Sequence, residues 1–224
     1  MPIAIRSATR DDAGGIVAVA ADVWPEDPLD VAEIERLIAE TPRATLVAEL
    51  DGHVVGFVDG FTTFASNDAS RWEVDLLAVA SHAQGCGLGR QLVEQSVQIG
   101  LATGAAQCRA LIRIGNVASE RVFMACGFSP DHDESDLLVT EGFRIPSTGA
   151  ALHVVPVQTF RYSGIWLEEV NADALRSLNK SMDGSVVGAV IPVADRASHI
   201  AAVAVGMEPA GRFRFWRRSS CATT

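Results

Sequence analysis

Tyrosine is nearly missing from this chain: Tyr162 is the only one in 224 residues, beside five histidines, four methionines and four cysteines. The cysteines (Cys86, Cys108, Cys126 and Cys221) show no C-x-x-C spacing and no metal-like pairing with histidine. That pattern gives no reason to expect a metal, and free thiols in a reducing cytoplasm are its simplest reading. No run of eighteen apolar residues occurs, so no membrane-spanning helix is expected. The opening MPIAIRSATRDDAG lacks the basic-then-apolar layout of a signal peptide, and a cytoplasmic location follows as the expectation. Basic residues are scarce against acidic ones, 18 to 28, for a formal net charge of −10. Such a chain repels phosphate backbones, so nucleic acid is excluded as the expected partner. Any anionic ligand must be held by local backbone dipoles or by a few arginines.

What is present is ordinary globular material, 48% hydrophobic and 21% charged, enough for one large domain or a domain and a half. Residues 3–6 read as a strand, and Thr9-x-x-Asp12 as a capping box ahead of Ile16, Val19, Ala20 and Val23 at helical spacing. Asp30 with Glu33 caps a second helix carrying Val31, Ile34, Leu37 and Ile38, with Pro42 just past its end. Strands at 44–50 and 53–61 flank Asp51-Gly52, a tight-hairpin signal. Residues 71–80 read as a fourth strand. Arg71, Glu73 and Asp75 alternate there with Trp72, Val74 and Leu76 before the run turns apolar.

The loop Gln84-Gly85-Cys86-Gly87-Leu88-Gly89 follows, then a helix with Leu92, Val93, Ser96, Val97 and Gly100 on one face. Residues 110–114 form another strand, and Asn116 caps a short helix that ends at Gly127. A strand that enters a glycine-rich turn and then a helix is an anion site, because turn amides and helix dipole converge there. Arg90, in the first turn, can add a charged contact. Two nucleotide fingerprints fail at particular residues. The dinucleotide pattern needs glycine where Arg90 stands, and a Walker loop needs Lys-Ser/Thr after Gly89.

The spacing Gln84-x-x-Gly87-x-Gly89 fits the pyrophosphate loop of coenzyme A-dependent acyltransferases, and the chain resembles the GNAT superfamily of N-acyltransferases. Three segments carry the resemblance in the family's order: IAIRSATRDDAGGIVAVA, EVDLLAVASHAQGCGLGRQLVEQSV and NVASERVFMACGF. It covers residues 3 to about 130. It implies an α/β fold with a mixed, mostly antiparallel central sheet flanked by helices, and a 1–130 catalytic domain that binds acyl-coenzyme A. The implied reaction is transfer of an acetyl group from acetyl-CoA to an amine of a small molecule or peptide, by direct attack in a ternary complex.

The resemblance also implies roles. The fourth and fifth strands would splay, and Leu77, Ala78 and Val79 would pair with the pantetheine arm. Val79 N–H would polarise the thioester carbonyl. Gln84, Gly85, Cys86, Gly87, Leu88, Gly89 and Arg90 would take the pyrophosphate. Asn116 and Ser119 would sit beside pantetheine and sulfur, Asn116 having pure helix capping as its alternative. An alkyl amine with pKa near ~10 must shed a proton before it attacks. Glu73 stands where several members carry the base, and Asp75 follows on the same strand face. The alternative is that both simply pair with Arg71 or a cationic substrate. Phe123 fills the position of the tyrosine that usually protonates the departing thiolate. It would line the coenzyme site without donating, and Tyr162 is the one available substitute. Phe123 also favours a second function, a non-catalytic acyl-CoA-binding regulatory module.

Residues 131–224 are less regular. The acidic 130–136 reads as a solvated loop, 152–166 as strand interrupted by Pro156, Asn171 as a helix start, 186–193 as strand and 199–205 as a small helix. IRIGNVASERVFMACGFSP (112–130) aligns without gaps to IPVADRASHIAAVAVGMEP (191–209) with six identities, among them Ser119/Ser198 and Gly127/Gly206. The extension is therefore a degenerate GNAT-like half, a dimerisation arm that would make the protein a homodimer, or a lid. It has no glycine loop, so one coenzyme A site per chain is expected. The closing RFRFWRR reads as an amphipathic strand with exposed arginines.

Overall fold

The computed structural model describes residues 3–40, 42–141, 143–144, 153–180 and 186–219. The chain divides into two compact units, 1–110 with 117–129 and 216–224, and 111–116 with 130–215. No helix among the described residues is long and apolar enough to cross a membrane. Cys221 lies outside the described residues.

In the first unit, β1 (Ala4–Ser7) leads to α1 (Ala13–Val23) and α2 (Val31–Ile38). Asp12 fixes the entry to α1. Its carboxylate accepts Thr9 N–H at 2.7 Å and both terminal nitrogens of Arg6 at 2.7 and 2.8 Å. Asp30 Oδ1 accepts Glu33 N–H at 2.8 Å, the expected cap of α2. β2 (Arg43–Leu50) and β3 (His53–Phe64) join through Asp51 and Gly52, both at positive φ as a tight hairpin requires. β4 (Ser70–Val79), α3 (Leu88–Ala102), β5 (Gln107–Arg113) and α4 (Val117–Ala125) follow. The strand order is β1-β2-β3-β4-β5, antiparallel except for the parallel pair β4–β5.

Strict alternation along β4 does not survive. Val74 pairs with Gly60 and Leu77 with Val58, so Asp75 and Leu76 together oppose Asp59 in a β-bulge. Before the bulge, Trp72 faces α3, its Nε1 donating to Ser96 Oγ at 3.0 Å. After it, a Cβ placed on Gly89 of α3 would lie 3.9 Å from both Leu77 Cδ2 and Val79 Cγ2. The extra residue has exchanged odd for even positions on that face.

The second unit carries β7 (Ser135–Glu141) after the two-residue β6 (Ser129–Pro130), then β8 (Phe143–Arg144), β9 (His153–Gln158) and β10 (Ser163–Glu168). α5 (Ala172–Arg176), β11 (Asn179–Lys180), β12 (Val186–Pro192), α6 (Arg196–Ala204) and β13 (Glu208–Ser219) complete it. Its strands run β13-β7-β12-β10-β9, with β10–β12 parallel. Leu138, Leu167, Leu175, Val187, Ile191, Ala202 and Met207 form its core.

Several expectations are corrected here. The 130–136 segment is not all loop, since Ser135 and Asp136 open β7, where Asp136 receives Arg212 Nε at 2.8 Å. In place of one interrupted strand, residues 153–168 hold two strands of a hairpin, Leu152 lying outside the described residues, and the last helix starts at Arg196 rather than at 199. The closing arginines are engaged internally. Arg214 donates to Glu134 at 2.8 Å, Arg217 to Gln107 at 3.1 Å and Arg218 to the Cys126 carbonyl at 2.6 Å.

Candidate functional site

β4 and β5 pair at Arg71↔Gln107, Trp72↔Cys108 and Glu73↔Arg109, and residues 74–79 of β4 extend beyond that pairing. The strands therefore form a fork whose vertex is Glu73 and Arg109. On its other edge β4 stays bonded to β3: Ala80 N–H donates to Val55 O at 2.9 Å. Backbone groups alternate in direction along a strand. Val79 and Leu77 thus turn their N–H groups away from β3, toward the open side, while Ala78 turns to β3. The Val79 carbonyl agrees with this, accepting Gln84 Nε2 at 3.0 Å. Of the three residues expected to meet the pantetheine arm through the backbone, Leu77 and Val79 have the required orientation and Ala78 does not.

That same hydrogen bond ties the strand end to the glycine loop. Gly85 and Gly87 both have φ of 79°, and Gly87 is the N-cap of α3. No heavy atom lies within 4 Å of a Cβ built on either glycine, so the loop's outer face is open. The first amides of α3, at Leu88, Gly89 and Arg90, have no acceptor within the helix. They converge with the positive end of a 15-residue helix. Arg90 is exposed and donates to Glu94 at 2.8 Å, one turn along α3. Cys86 is exposed in the loop.

At the vertex, Arg109 Nη2 donates to Glu73 Oε1 at 2.7 Å and Nε to Oε2 at 2.9 Å. Thr63 Oγ1 adds a hydrogen bond to Oε1 at 2.5 Å, and Arg71 Nε stands 3.6 Å from the same oxygen. Beside them Asp59, fully buried, is paired with Arg43 and accepts Thr45 Oγ1 at 2.9 Å. Burial raises the Asp59 carboxyl above its ordinary value, against the pull of Arg43. Asp75 is half-buried in the bulge, one step past the vertex.

Asn116 is exposed just before α4, its N–H bonded to the Arg113 carbonyl at 3.1 Å, and Ser119 is half-buried in the first turn. Phe123 is 2% exposed, its ring edge-on to Phe128 with centroids 5.0 Å apart. Burial pushes the Cys126 and Cys108 thiols up to about 11, away from reactivity. Tyr162 belongs to the second unit, where its hydroxyl donates to the Ile165 carbonyl at 2.7 Å. Sequence reasoning missed Arg109, Thr63 and the Arg43–Asp59 pair. The available signal was charge inside apolar strands, as in QCRALIR, where a buried arginine demands a carboxylate partner.

The model of the Acetyltransferase (GNAT) family matches residues 7–128. No curated protein matches the chain in sequence. Among solved structures, the ribosomal-protein-alanine N-acetyltransferase from Brucella melitensis is 26% identical with a TM-score of 0.52, covering 59% of this chain and 88% of that one. The PaiA N-acetyltransferase from Thermoplasma acidophilum, in complex with coenzyme A, is 17% identical with a TM-score of 0.50 over 58% of this chain and 92% of that one. The GCN5-related glucosamine N-acetyltransferase region of a fungal multi-domain GH3 β-N-acetylglucosaminidase reaches a TM-score of 0.64 at 12% identity. It covers 97% of this chain and 38% of that one. With the family match spanning more than half of the chain, over the residues that build the fork and the glycine loop, the chain belongs to the GNAT acetyltransferase family.

Proposed function

We propose that this protein is an N-acyltransferase that moves an acetyl group from acetyl-CoA to an amine of a small molecule or peptide. The observation that carries the reading is the fork beyond Glu73↔Arg109, whose open edge ends in the Val79 N–H and is tied by Gln84 to the glycine-capped start of α3. Coenzyme A bound to PaiA supports the choice of ligand. Amides from Gly85 to Arg90 take the pyrophosphate, and the backbone of Leu77 and Val79 receives the pantetheine arm. Asn116 and Ser119, at the start of α4, are assigned to the arm and its sulfur.

The amine nitrogen bonds to the thioester carbon, and its surplus proton passes to one of the two carboxylates, Glu73 or Asp75. Val79 N–H stabilises the oxyanion that develops on the carbonyl oxygen. The C–S bond then breaks and coenzyme A leaves as the thiolate. A thiol of pKa near ~8.5 departs without an acid, which accommodates Phe123. Residues 131–224 are read as a degenerate GNAT-like half. β12, α6 and the start of β13 repeat β5, α4 and β6 at a constant offset of 79: Gln107–Arg113 against Val186–Pro192, Val117–Ala125 against Arg196–Ala204.

Buried Phe123 favours a second reading, a regulatory module that binds acyl-CoA without turning it over. Thiol release from acetyl-CoA across a panel of amines separates the two. Calorimetric binding with turnover supports the enzyme, binding without turnover supports the module, and no binding defeats both.

A further inference from the structure

Glu73 and Arg109 are the last cross-strand pair before β4 and β5 part. Both side chains are buried, 12% and 3% exposed. Oε1 of Glu73 receives Thr63 Oγ1 at 2.5 Å and two nitrogens of Arg109 at 2.7 and 3.1 Å. A carboxylate oxygen offers two lone pairs, so this atom has no capacity left, while Oε2 receives Arg109 Nε at 2.9 Å; protonating the group would leave a buried guanidinium without its counter-charge. Moving either strand would strip donors from a desolvated carboxylate, so the pair fixes register and angle where the strands separate.

The second unit serves as an internal comparison. There the parallel strands β10 and β12 place Trp166 opposite Gly188, and Gly188 stands 79 residues after Arg109. The counterparts of Glu73 and Arg109 thus carry no charge. The β9–β10 register runs without a shift from Ser163 to Glu168, and β10–β12 pairing continues to Leu167↔Ala189. In the first unit the matching step, Val74 to Ala110, lies beyond the pairing. Ion pair, bulge and end of pairing occur together along β3, β4 and β5, whereas the matching described pairs of β9, β10 and β12 run on without a register shift and with Trp166 and Gly188 in place of the charged pair.

We propose that Glu73 and Arg109 form a positioning clamp at the vertex of the fork, and that Asp75 is the carboxylate that takes the amine's proton. This rests on the acyltransferase reading given above. The clamp holds β4 so that Val79 N–H and Asp75 stay in place relative to the thioester, and Glu73 itself exchanges no proton during turnover.

The test compares wild type with Asp75→Asn, Glu73→Gln, Arg109→Lys and the neutral double variant Glu73→Gln/Arg109→Gln, which leaves neither partner charged if the single changes fold poorly. Acetyl-CoA affinity by calorimetry and the pH profile of kcat are measured for each. Asp75→Asn should leave affinity unchanged, lower kcat about a hundredfold or more, and abolish the rise of kcat with pH. The clamp variants should weaken affinity and kcat together, by a shared factor on the order of tenfold to a hundredfold, and keep the rise with pH. The clamp is overturned if Glu73→Gln flattens the profile at intact affinity, or if Asp75→Asn retains the wild-type profile. Wild-type protein that binds no acetyl-CoA overturns the acyltransferase reading as well, so the two failures are distinguishable.

Discussion

The indole of Trp72 lies directly against the backbone of Gly100: a Cβ built on that glycine would stand 2.3 Å from Trp72 Cγ. On the ring's far end, a Cβ on Gly60 of β3 would stand 2.6 Å from Cζ2. The two glycines thus form a slot that lets a full indole lie between sheet and α3. Gly100→Ala should lower stability by about 1–3 kcal/mol or more, the range for overpacking, even though alanine favours a helix. Denaturant unfolding measures this, and a stabilised variant would show that the slot is loose.

Gly87 poses the opposite case, a strained backbone in open space. At φ of 79°, an alanine there should cost about 1–2 kcal/mol without touching anything. Gly87→Glu should in addition place a negative charge where the pyrophosphate is assigned. Calorimetry with acetyl-CoA should then give no measurable binding while circular dichroism stays that of wild type. Unchanged affinity would remove the loop from the site.

Burial pushes the Tyr162 phenol up from 10.0 to about 12. The folded state therefore holds this proton more tightly than the unfolded chain does. The contribution to stability is complete below pH 10.0 and is lost as pH rises through about 12. Tyr162→Phe should remove that alkaline dependence and cost on the order of 1 kcal/mol for the lost hydrogen bond to Ile165. Turnover should not change, and a tenfold loss would bring this hydroxyl into the chemistry.

Asp12 shows the acidic counterpart. Hydrogen bonds from Arg6, and further ones from Thr9, bring its carboxyl down to about 2 against an ordinary 3.8. Its contribution is present above pH 3.8 and disappears as pH falls through about 2. Asp12→Asn should flatten that limb of an acid-unfolding curve and loosen the entry to α1, as hydrogen exchange at the first turn would report.

Phe123→Tyr would place a hydroxyl in a packed site against Phe128. We expect a loss of about 1–3 kcal/mol, the penalty for an unsatisfied polar group, and no gain in turnover. A faster reaction in this variant would mean that the new hydroxyl reaches the departing thiolate.

Much of the first unit was legible because local chemistry and global fold agree there. Asp30 caps α2, Asp51-Gly52 makes its hairpin, and Leu92, Val93, Ser96, Val97 and Gly100 are the buried face of α3. Glycine spacing likewise located the loop and the end of β4. What did not show was anything that depends on register between distant strands. Period-two reasoning carried the alternation through Leu76, but a residue inserted at Asp75 and Leu76 cannot be seen from one strand's sequence. Arg109 was invisible as a partner for the same reason, lying 36 residues from Glu73. In the second unit, SDLLVTE was hidden by the acidic stretch before it, yet Asp136 is a strand residue because Arg212 neutralises it across the ladder.

Pro156 sits in the middle of β9, opposite Ile165, and β9 is the last strand in its sheet's order among the described residues. Proline has no N–H, and it is tolerated there because its nitrogen faces outward rather than into the ladder. An incoming strand from another molecule would meet a missing donor and a bulky ring at the centre of that border. The residue thus acts as a stop against edge-to-edge growth of the sheet, and Pro156→Val should leave the fold intact while making concentrated protein prone to ordered aggregation.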